Sequence, residues 1–548
     1  MLPKIPWENE MLMLMSAALM SVASAAEDDF EFELEGYYRT RAYVFPDLYA
    51  DQDEAGRFLT QRLRLQPSID FDGRAKFMMM ADVLDDAVWG DNQSLASTAL
   101  FAGDPSATGI DGQRIDTFQI KRAWMEFTLP VGEVRVGRME SHWGMGLLAN
   151  SGNGFDDNFG ENHGGNTFDR ALFATRPLAI IQAITGKEDT GVPFIMGVAV
   201  DRLVEDPLIQ YYGFECASGI SEGDEDYSAA CDSDNDGLTD IDHDYVDDTF
   251  LESDRGDDWW VDQDDDVMEL IYLAIYRGEG IDLAGSAADF TLGAYAINRK
   301  QNETDSNVLI SDIYTKFLWR GIYLEGEALN IRGKSSAIAL PGAFDPYGEL
   351  ANPLEKNVNI WGWVARGGYV QTSYEAVMEY GYASGDDNVA DQEFTGRPIH
   401  PDYNVGLILY DEILSRVTAS TWTESADGLW SNGGVYNSTY IFPTIKYKPG
   451  QNLELIGGFL MAWPDKPDGS RILCAEGDDV DCAQYTATAA NLGWEADAAI
   501  KYRFHNQHIN FSAEAAYASI TDRIPLENVG LNPDGKFFTF QSRIAYEF

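Results

Sequence analysis

The sequence predicts an all-β protein, a transmembrane antiparallel β-barrel of about eighteen strands. Three observations predict this fold class. Apolar and polar residues alternate along long segments, short and long connections alternate between these segments, and the chain ends in an alternating segment with a terminal aromatic residue. The composition agrees, because 12% of the residues are aromatic and 51 are Gly, which favours strands and turns.

The first element is a segment typical of an export signal. An apolar run from Met11 to Val22 is followed by four small residues, Ala23 to Ala26. This order predicts a signal peptide over residues 1–26. The alternative is a short membrane anchor, but the run is shorter than the roughly 20 residues that a spanning helix needs.

Residues 27–548 form the predicted barrel domain, in which apolar and polar residues alternate with a period of two. From Phe30 to Arg41, even positions are mostly apolar and odd positions are mostly charged. Strands of about 9 to 11 residues or more are long enough to cross a bilayer. Sixteen strands is the alternative count, because Pro177 interrupts one segment. The predicted strands are 29–43, 58–71, 74–86, 117–129, 133–139, 168–185, 193–204, 267–277, 288–299, 309–319, 322–332, 356–369, 373–383, 434–448, 451–463, 493–504, 509–519 and 536–548.

The connections predict which end of each strand faces the periplasm. Asp72-Gly73, Arg320-Gly321 and Pro449-Gly450 are typical of tight turns, and the connections between them are mostly long. A barrel that starts in the periplasm would have short periplasmic turns and long extracellular loops. The interior of eighteen strands is too wide for side chains to fill, so we expect loop 140–167 to fold inward, with an external loop as the alternative. The predicted loops are 87–116, 140–167, 205–266, 333–355, 384–433 and 464–490.

The last predicted strand resembles the C-terminal recognition signal of the barrel-assembly machinery, which would bind such a strand by strand addition. Ile544, Tyr546 and the C-terminal Phe548 lie on one face of it. A sheet in hydrocarbon must close, because lipid cannot satisfy an open edge. The strand should therefore pair with the first predicted strand.

The polar faces of the strands provide candidate residues for the barrel lumen. Their charges are of both signs, and basic residues are concentrated in the first five strands. Walls of opposite sign would create a transverse field across the lumen; the alternative is that these charges pair with each other. The candidate lumen-lining residues are Glu33, Glu35, Arg39, Arg41, Arg62, Arg64, Arg122, Glu126, Arg135, Glu325, Glu327, Glu495, Asp497, Lys501, Arg503 and Arg543.

The excess of acidic over basic residues excludes one class of partner and predicts one cofactor. With 38 basic and 91 acidic residues, the chain has a formal net charge of −53, which excludes nucleic acid as a partner. The loop 205–266 contains a DxDxDG core, an arrangement of hard oxygen ligands that suits Ca²⁺. The alternative is a solvated acidic run. The candidate calcium ligands are Asp232, Asp234, Asp236, Leu238, Asp240, Asp242 and Asp244.

The four cysteines form two local pairs in polar segments. Cys216 and Cys231 lie in the acidic loop, and Cys474 and Cys482 lie in loop 464–490. Because a zinc site would need CxxC spacing with histidines, the pattern favours two disulfides in an oxidising compartment.

Several short motifs resemble those of a known family. The segment Val136-Gly137-Arg138, followed by His142-Trp143-Gly144 and Phe168-Asp169-Arg170, resembles the alginate-export type of eighteen-stranded, substrate-selective porin. Ala383 to Asp387 resembles the SGD segment of the same group, and the acidic loop resembles the calcium repeats of thrombospondin type 3. The resemblance implies a channel in the outer membrane of a Gram-negative bacterium. The mixed lumen charges differ from the basic lumen of alginate channels.

The sequence leaves two functional classes. The first is a porin for small polar or charged solutes or oligosaccharides, embedded in outer-membrane lipid and lipopolysaccharide. The second is a surface-anchored barrel whose calcium-stabilised loops mediate binding or adhesion. An enzyme is not expected, because none of the six histidines has a nucleophile at a recognisable spacing.

Overall fold

The computed structural model describes residues 30–50, 56–89, 118–155, 157–161, 165–187, 191–205, 267–301, 306–336, 355–386, 392–418, 431–466, 491–504, 508–521, 524, 526 and 530–548. Almost all regular structure in these ranges is β-sheet. The strands are β1 (Phe30–Phe45), β2 (Gly56–Phe71), β3 (Ala75–Val88), β4 (Gln119–Leu129), β5 (Gly132–Ser141), β6 (Asn166–Thr175), β7 (Phe194–Glu205), β8 (Met268–Leu283), β9 (Ser286–Gln301), β10 (Ser306–Trp319), β11 (Ile322–Ser335), β12 (Lys356–Val370), β13 (Tyr374–Ala383), β14 (Glu393–Phe394), β15 (Ser438–Tyr447), β16 (Leu453–Pro464), β17 (Gly493–Phe504), β18 (Ile509–Ile520) and β19 (Lys536–Glu547).

Eighteen of these strands close into one antiparallel barrel. Each strand pairs with its neighbour in the chain, except that the two-residue β14 pairs in parallel with β12 and β13 pairs directly with β15. The barrel closes between β1 and β19, from Tyr37 opposite Glu547 to Val44 opposite Phe540. The strand count of eighteen and the predicted partner of the last strand are therefore confirmed, and the count of sixteen is wrong.

The outer surface of the barrel is apolar. On β19 the side chains that alternate outward are 38 to 51% exposed, whereas Thr539 and Arg543 between them are only 2% and 5% exposed. Such exposure of large apolar side chains is favourable in hydrocarbon and unfavourable in water. The exposed members on β19 are Phe538, Phe540, Ile544, Tyr546 and Phe548.

Aromatic side chains concentrate where the strands meet the short turns. The rings of Phe30 on β1 and Phe71 on β2 have their centroids 4.9 Å apart. On another part of the barrel, Tyr369 and Tyr374 flank the turn between β12 and β13, with ring centroids 6.1 Å apart. Aromatic girdles of this kind lie at the membrane interfaces of transmembrane barrels. The girdle marks the boundary of the hydrocarbon on the turn side.

Short and long connections separate to opposite ends of the barrel. Residues 72–74, 130–131, 284–285, 320–321, 371–373 and 448–452 form short turns at one end, and most connections at the other end are much longer. At Asp72-Gly73 and Arg320-Gly321 both central residues have positive φ, the backbone of a type I′ hairpin turn. The predicted alternation of turns and loops is confirmed.

One predicted strand is wrong in its second half. The segment 168–185 was expected to be a single strand, but β6 ends at Thr175 and residues Pro177–Ile184 form a helix, α1. Pro177 has no N–H to donate to a sheet, whereas its fixed φ suits the first position of a helix. No helix within the described ranges is long and apolar enough to cross a bilayer.

Two long connections fold into the barrel. We name residues 142–165 L3 and residues 384–437 L7, after their order among the loop-side connections. Their described side chains pack against the inner face; Leu147, Leu409 and Ile413 are fully buried. The expectation that the connection after β5 folds inward is correct, and L7 was not expected to do the same. Among the described residues, a hydrophobic core therefore lies inside the barrel.

Candidate functional site

One wall of the barrel interior is strongly basic. Alternate residues point inward on each strand, so Arg39 and Arg41 face inward from β1. The strand register places Arg62 of β2 opposite Arg39, and Arg543 of β19 opposite Arg41. Like charges directly opposite each other are destabilising. This wall therefore requires an acidic partner from another element.

Glu161 of L3 is that partner. Its Oε1 lies 2.6 Å from Nη1 of Arg39 and 3.2 Å from Nη1 of Arg543, and its Oε2 lies 2.6 Å from Nε of Arg41. Burial alone would raise the pKa of Glu161, but the guanidinium groups of Arg41, Arg39 and Arg543 hold it well below its usual range. One buried carboxylate thus joins three arginines and fixes the end of L3 to this wall.

Two more arginines bind L3 further along the same wall. Arg64 forms a bidentate ion pair with Asp82, with both distances 2.7 Å, and Arg122 pairs with Glu140 at 2.6 Å. Both arginines also donate to the side-chain oxygen of Asn153, at 3.1 and 3.3 Å. The arginines of β2 and β4 therefore position the middle of L3.

The opposite wall binds the start of L3 through carboxylates. Strand β10 lies nine positions from β1 in either direction around the eighteen strands. There, Asp312 accepts a hydrogen bond from Nε1 of Trp143 at 2.9 Å. Glu327 of β11 accepts the backbone N–H groups of Met145 and Leu147. L3 therefore crosses the interior from an acidic wall to a basic wall.

A further carboxylate holds L7. Both oxygens of Glu495 accept backbone N–H groups at the start of a π-helical turn, from Leu407 at 2.6 Å, Ile408 at 2.9 Å and Leu409 at 2.7 Å. Charge-assisted hydrogen bonds of this kind are stronger than neutral ones. Glu495 is fully buried and fixes the centre of L7 to β17.

L3 and L7 are also joined to each other. The carboxylate and the carbonyl of Asp402 accept hydrogen bonds from Gly165 N–H at 2.7 Å and Asn150 Nδ2 at 3.2 Å. Asn404 of L7 donates to Asp157 of L3 at 3.2 Å. Burial raises the pKa of Asp157 to about 6, although Lys501 lowers it. The two loops therefore form one connected body inside the barrel.

The predicted lumen residues fall into two groups. The first group is buried, and most of its members contact L3 or L7: Arg39, Arg41, Arg62, Arg64, Arg122, Glu327, Glu495, Asp497 and Arg543. The second group is half-buried or exposed, and most of its members lie toward the turn side: Glu33, Glu35, Glu126, Arg135, Glu325, Lys501 and Arg503.

The accessible charges on the turn side alternate in sign. Lys448 lies 2.5 Å from Glu375 and 3.7 Å from Glu454, and Arg135 lies 3.3 Å from Glu126. These ion pairs are partly exposed and therefore weak. This part of the inner surface combines both signs at close range.

Of the acidic residues around L3, Glu327 was predicted from the sequence, whereas Glu161, Asp312 and Asp82 were not. Glu161 lies in a loop without periodicity, so no pattern assigned it a position. Asp312 could have been found, because it interrupts the apolar inward positions Val308 and Ile310 of β10. Asp82 interrupts the inward positions of β3 in the same way.

The motifs of the family resemblance have local structural roles. Arg138 and Asp169 form a half-exposed bidentate ion pair at 2.9 and 2.8 Å. Asp386 of the SGD segment accepts the N–H of Thr395 at 3.0 Å, and Ser384 donates to the carbonyl of Thr395. The ion pair joins β5 to β6, and the two hydrogen bonds are internal to the start of L7.

Several predicted sites lie outside the described residues. They are the signal peptide 1–26, all seven candidate calcium ligands and the four cysteines. Among the residues that the structure does describe, no three His, Cys, Asp or Glu side chains are grouped to hold a metal ion. The calcium site and the disulfides stay predictions.

The fold and its interior define a transmembrane β-barrel with two loops across its lumen. No family model and no curated protein matches the chain. Among solved structures, OccK11 (OpdR) of Pseudomonas aeruginosa is 10% identical with a TM-score of 0.45, covering 95% of this chain and 96% of its own. A BenF-like porin from Pseudomonas fluorescens Pf-5 has 10% identity, a TM-score of 0.45 and coverage of 94% and 98%. OccK2 (OpdF) of P. aeruginosa in complex with glucuronate has 9% identity, a TM-score of 0.45 and coverage of 94% and 96%. At this identity these similarities assign no role to any residue.

Proposed function

We propose that the chain is an outer-membrane porin, a passive channel for small polar or charged solutes that is narrowed by L3 and L7. The observation that carries the proposal is the anchoring of L3 to opposite walls of unlike charge, by Glu161 on one side and by Trp143 and Met145 on the other. A barrel of eighteen strands without such loops would leave a wide opening. A fixed loop across it would set a size limit for solutes.

Walls of opposite sign suit solutes that carry both polar groups and charge. A transverse field orients such molecules as they pass, because their dipoles align with it. Arg39, Arg41 and Arg543 outnumber the single Glu161 between them, so the basic wall keeps a net positive charge. We therefore propose acidic sugars and short acidic oligosaccharides as the solute class. The bound glucuronate of OccK2 belongs to this class.

Liposome swelling tests the solute class. Liposomes that contain the refolded protein are diluted into isotonic solutions of glucose or of glucuronate, and the swelling rate is compared with that of empty liposomes. We expect swelling with both solutes, faster with glucuronate than its size alone predicts. If liposomes with and without the protein swell at equal rates, the protein is not a channel. If glucose enters and glucuronate does not, the proposed solute class is wrong.

The alternative function is a surface-anchored barrel whose loops bind a partner. It is favoured by the extent of the packing inside the barrel, where Phe159 of L3 contacts Phe442 and Tyr410 of L7 contacts Tyr440, with ring centroids 5.9 and 6.0 Å apart. A folded barrel that admits no solute in the swelling assay would support this function instead.

We also propose that the acidic loop 205–266 binds Ca²⁺ through the carboxylates around Asp232, Asp234 and Asp236. The support is the DxDxDG spacing and the density of 23 acidic residues against one base in this loop, which is difficult to order without a cation. We expect a calcium chelator to accelerate proteolysis within the loop. The matched control is the double variant Asp234→Asn/Asp236→Asn, which should be cleaved rapidly with and without Ca²⁺. Identical cleavage of the unmodified protein in both conditions would contradict the proposal.

A further inference from the structure

The helix α1 exposes an apolar face that no part of the described chain covers. Its eight residues, PLAIIQAI, include one polar side chain, and none of the eight is buried. Leu178, Ile181 and Ile184 are 38, 55 and 79% exposed, and their spacing of three places them along one side of the helix. Full burial of a Leu or Ile side chain is worth about 1.5 to 3 kcal/mol. Exposure of this face to water would therefore be unfavourable.

The helix also needs support from its surroundings to exist. Isolated helices shorter than about 12 residues are marginal in water, because nucleation costs more than a few hydrogen bonds return. Within the described chain α1 contacts β7. Its exposed face requires a second, apolar environment.

The neighbouring outer surface of the barrel shows which environment this is. On β7 the outward residues Met196, Val198 and Val200 are 45, 38 and 50% exposed, whereas Ala199 and Asp201, on the opposite face, are buried. This row is part of the lipid-facing surface, and it begins two residues after the start of β7. The connection that carries α1 therefore joins a strand whose outer face is exposed to lipid.

Aromatic residues place α1 at the level of the membrane interface. Phe194, the first residue of β7, lies opposite Tyr276 of β8 in the sheet. The ring of Tyr276 lies 6.3 Å from that of Phe290 on β9. Since aromatic girdles lie at the headgroup level, the connection that carries α1 meets the barrel at this level.

The charges at both ends of α1 complement a phospholipid surface. Arg176 directly precedes the helix and Lys187 follows it, and both are exposed. Helices that lie in a membrane interface combine an apolar face with basic residues that interact with phosphate groups. No acidic side chain lies in the first turn of α1 to oppose this.

We propose that α1 is an interfacial helix, which lies in the turn-side leaflet with Leu178, Ile181 and Ile184 among the acyl chains and with Arg176 and Lys187 at the phosphates. The occupant of the exposed face is therefore phospholipid. This role is independent of solute passage, so it would hold for a channel and for a closed barrel.

Site-specific fluorescence in liposomes tests the proposal. The variant Ile184→Cys is labelled with an environment-sensitive dye under non-reducing conditions, with the unmodified protein as the blank for the native cysteines. Two matched controls are Ile445→Cys, on the lipid-facing side of β15 at 64% exposure, and Gln451→Cys, in an exposed turn at the same end of the barrel. We expect the dye at position 184 to resemble that at 445: a blue-shifted emission, quenched by brominated phospholipid and protected from iodide.

Two results would overturn the proposal. Quenching by iodide at position 184, as at position 451, would mean that the helix lies in water. Protection from both quenchers, together with disulfide crosslinking of two chains through position 184, would mean that a second copy of the chain covers this face. The labelled positions are all exposed, so none of the variants removes a packed side chain.

Discussion

At the scale of single residues, buried carboxylates position both inner loops. Glu161 forms ion pairs with three guanidinium groups. Glu327 accepts hydrogen bonds from two backbone N–H groups, and Glu495 accepts them from three. Each carboxylate satisfies donors that would otherwise be buried without an acceptor, which costs about 1 to 3 kcal/mol for each group. Single substitutions should therefore change how firmly a loop is held.

Glu161→Gln tests the first of these contacts. The substitution leaves Arg39, Arg41 and Arg543 without their common counter-charge, and breaking a buried ion pair in this way destabilises by about 3 to 5 kcal/mol. We expect a lower unfolding temperature and a shift of the reversal potential that indicates greater selectivity for anions. The control is Glu33→Gln, because Glu33 is exposed and lies 3.8 Å from Lys76. Equal effects of both variants would contradict the role of Glu161.

The raised pKa of Asp157 predicts that the stability of L3 depends on pH. Burial raises its pKa from 3.8 to about 6, so protonation is favoured in the folded state more than in the unfolded state. The stability that Asp157 contributes is therefore present in full at low pH and is lost as the pH rises through about 6. We expect fluctuations of the channel current to increase between pH 5 and pH 7, flanking that pKa. In Asp157→Asn this change should disappear; its persistence would assign the effect to another group.

At the scale of elements, the sequence predicted the strands in which apolar and polar residues alternate regularly. Strands such as β17 and β18 were predicted within a residue of their ends, because their inner and outer faces differ at each step. The rule failed at α1, where Pro177 starts a helix within an apolar segment that has no clear period. L7 was assigned to an extracellular loop for a related reason: its interior position depends on contacts with Glu495 and Asp157, which lie far away in the chain.

L7 should be released when its main acceptor is weakened. In Glu495→Gln the side chain keeps its size, but a neutral oxygen replaces the carboxylate that accepts three N–H groups from Leu407 to Leu409. We expect more frequent transitions to higher conductance in single-channel recordings. Glu454→Gln is the control, because Glu454 forms only longer ion pairs, at 3.7 and 3.8 Å, with lysines near a turn. A recording of Glu495→Gln that matches the control would contradict this role.

The last strand allows a test of the assembly signal with a matched pair of residues. Phe538 on β19 and Phe548 just after it are 41 and 38% exposed, but only Phe548 belongs to the predicted signal Ile544, Tyr546 and Phe548. Phe548→Ser should lower the fraction of folded protein in cells, measured as the heat-modifiable band on a gel. Phe538→Ser should lower it less, because it loses similar apolar contact without changing the signal. Equal losses would contradict a special role for the C-terminal residue.

At the scale of the whole molecule, closure of the sheet sets the conditions for everything inside it. The barrel removes every strand edge from lipid, and it brings β1 beside β19 and opposite β10. The predicted fold required only local patterns and this closure rule. The burial of Arg39, Glu327 and Glu495 beneath the loops depends on contacts that no local pattern contains.

We propose that this barrel is a channel and that L7 limits its width. Single-channel recording in a planar bilayer compares the unmodified protein with a variant in which residues 396–434 are replaced by a short glycine-serine linker. We expect stepwise conductance for both proteins, with larger steps for the shortened variant. If both proteins insert as folded, heat-modifiable barrels and neither conducts, the barrel is not a channel.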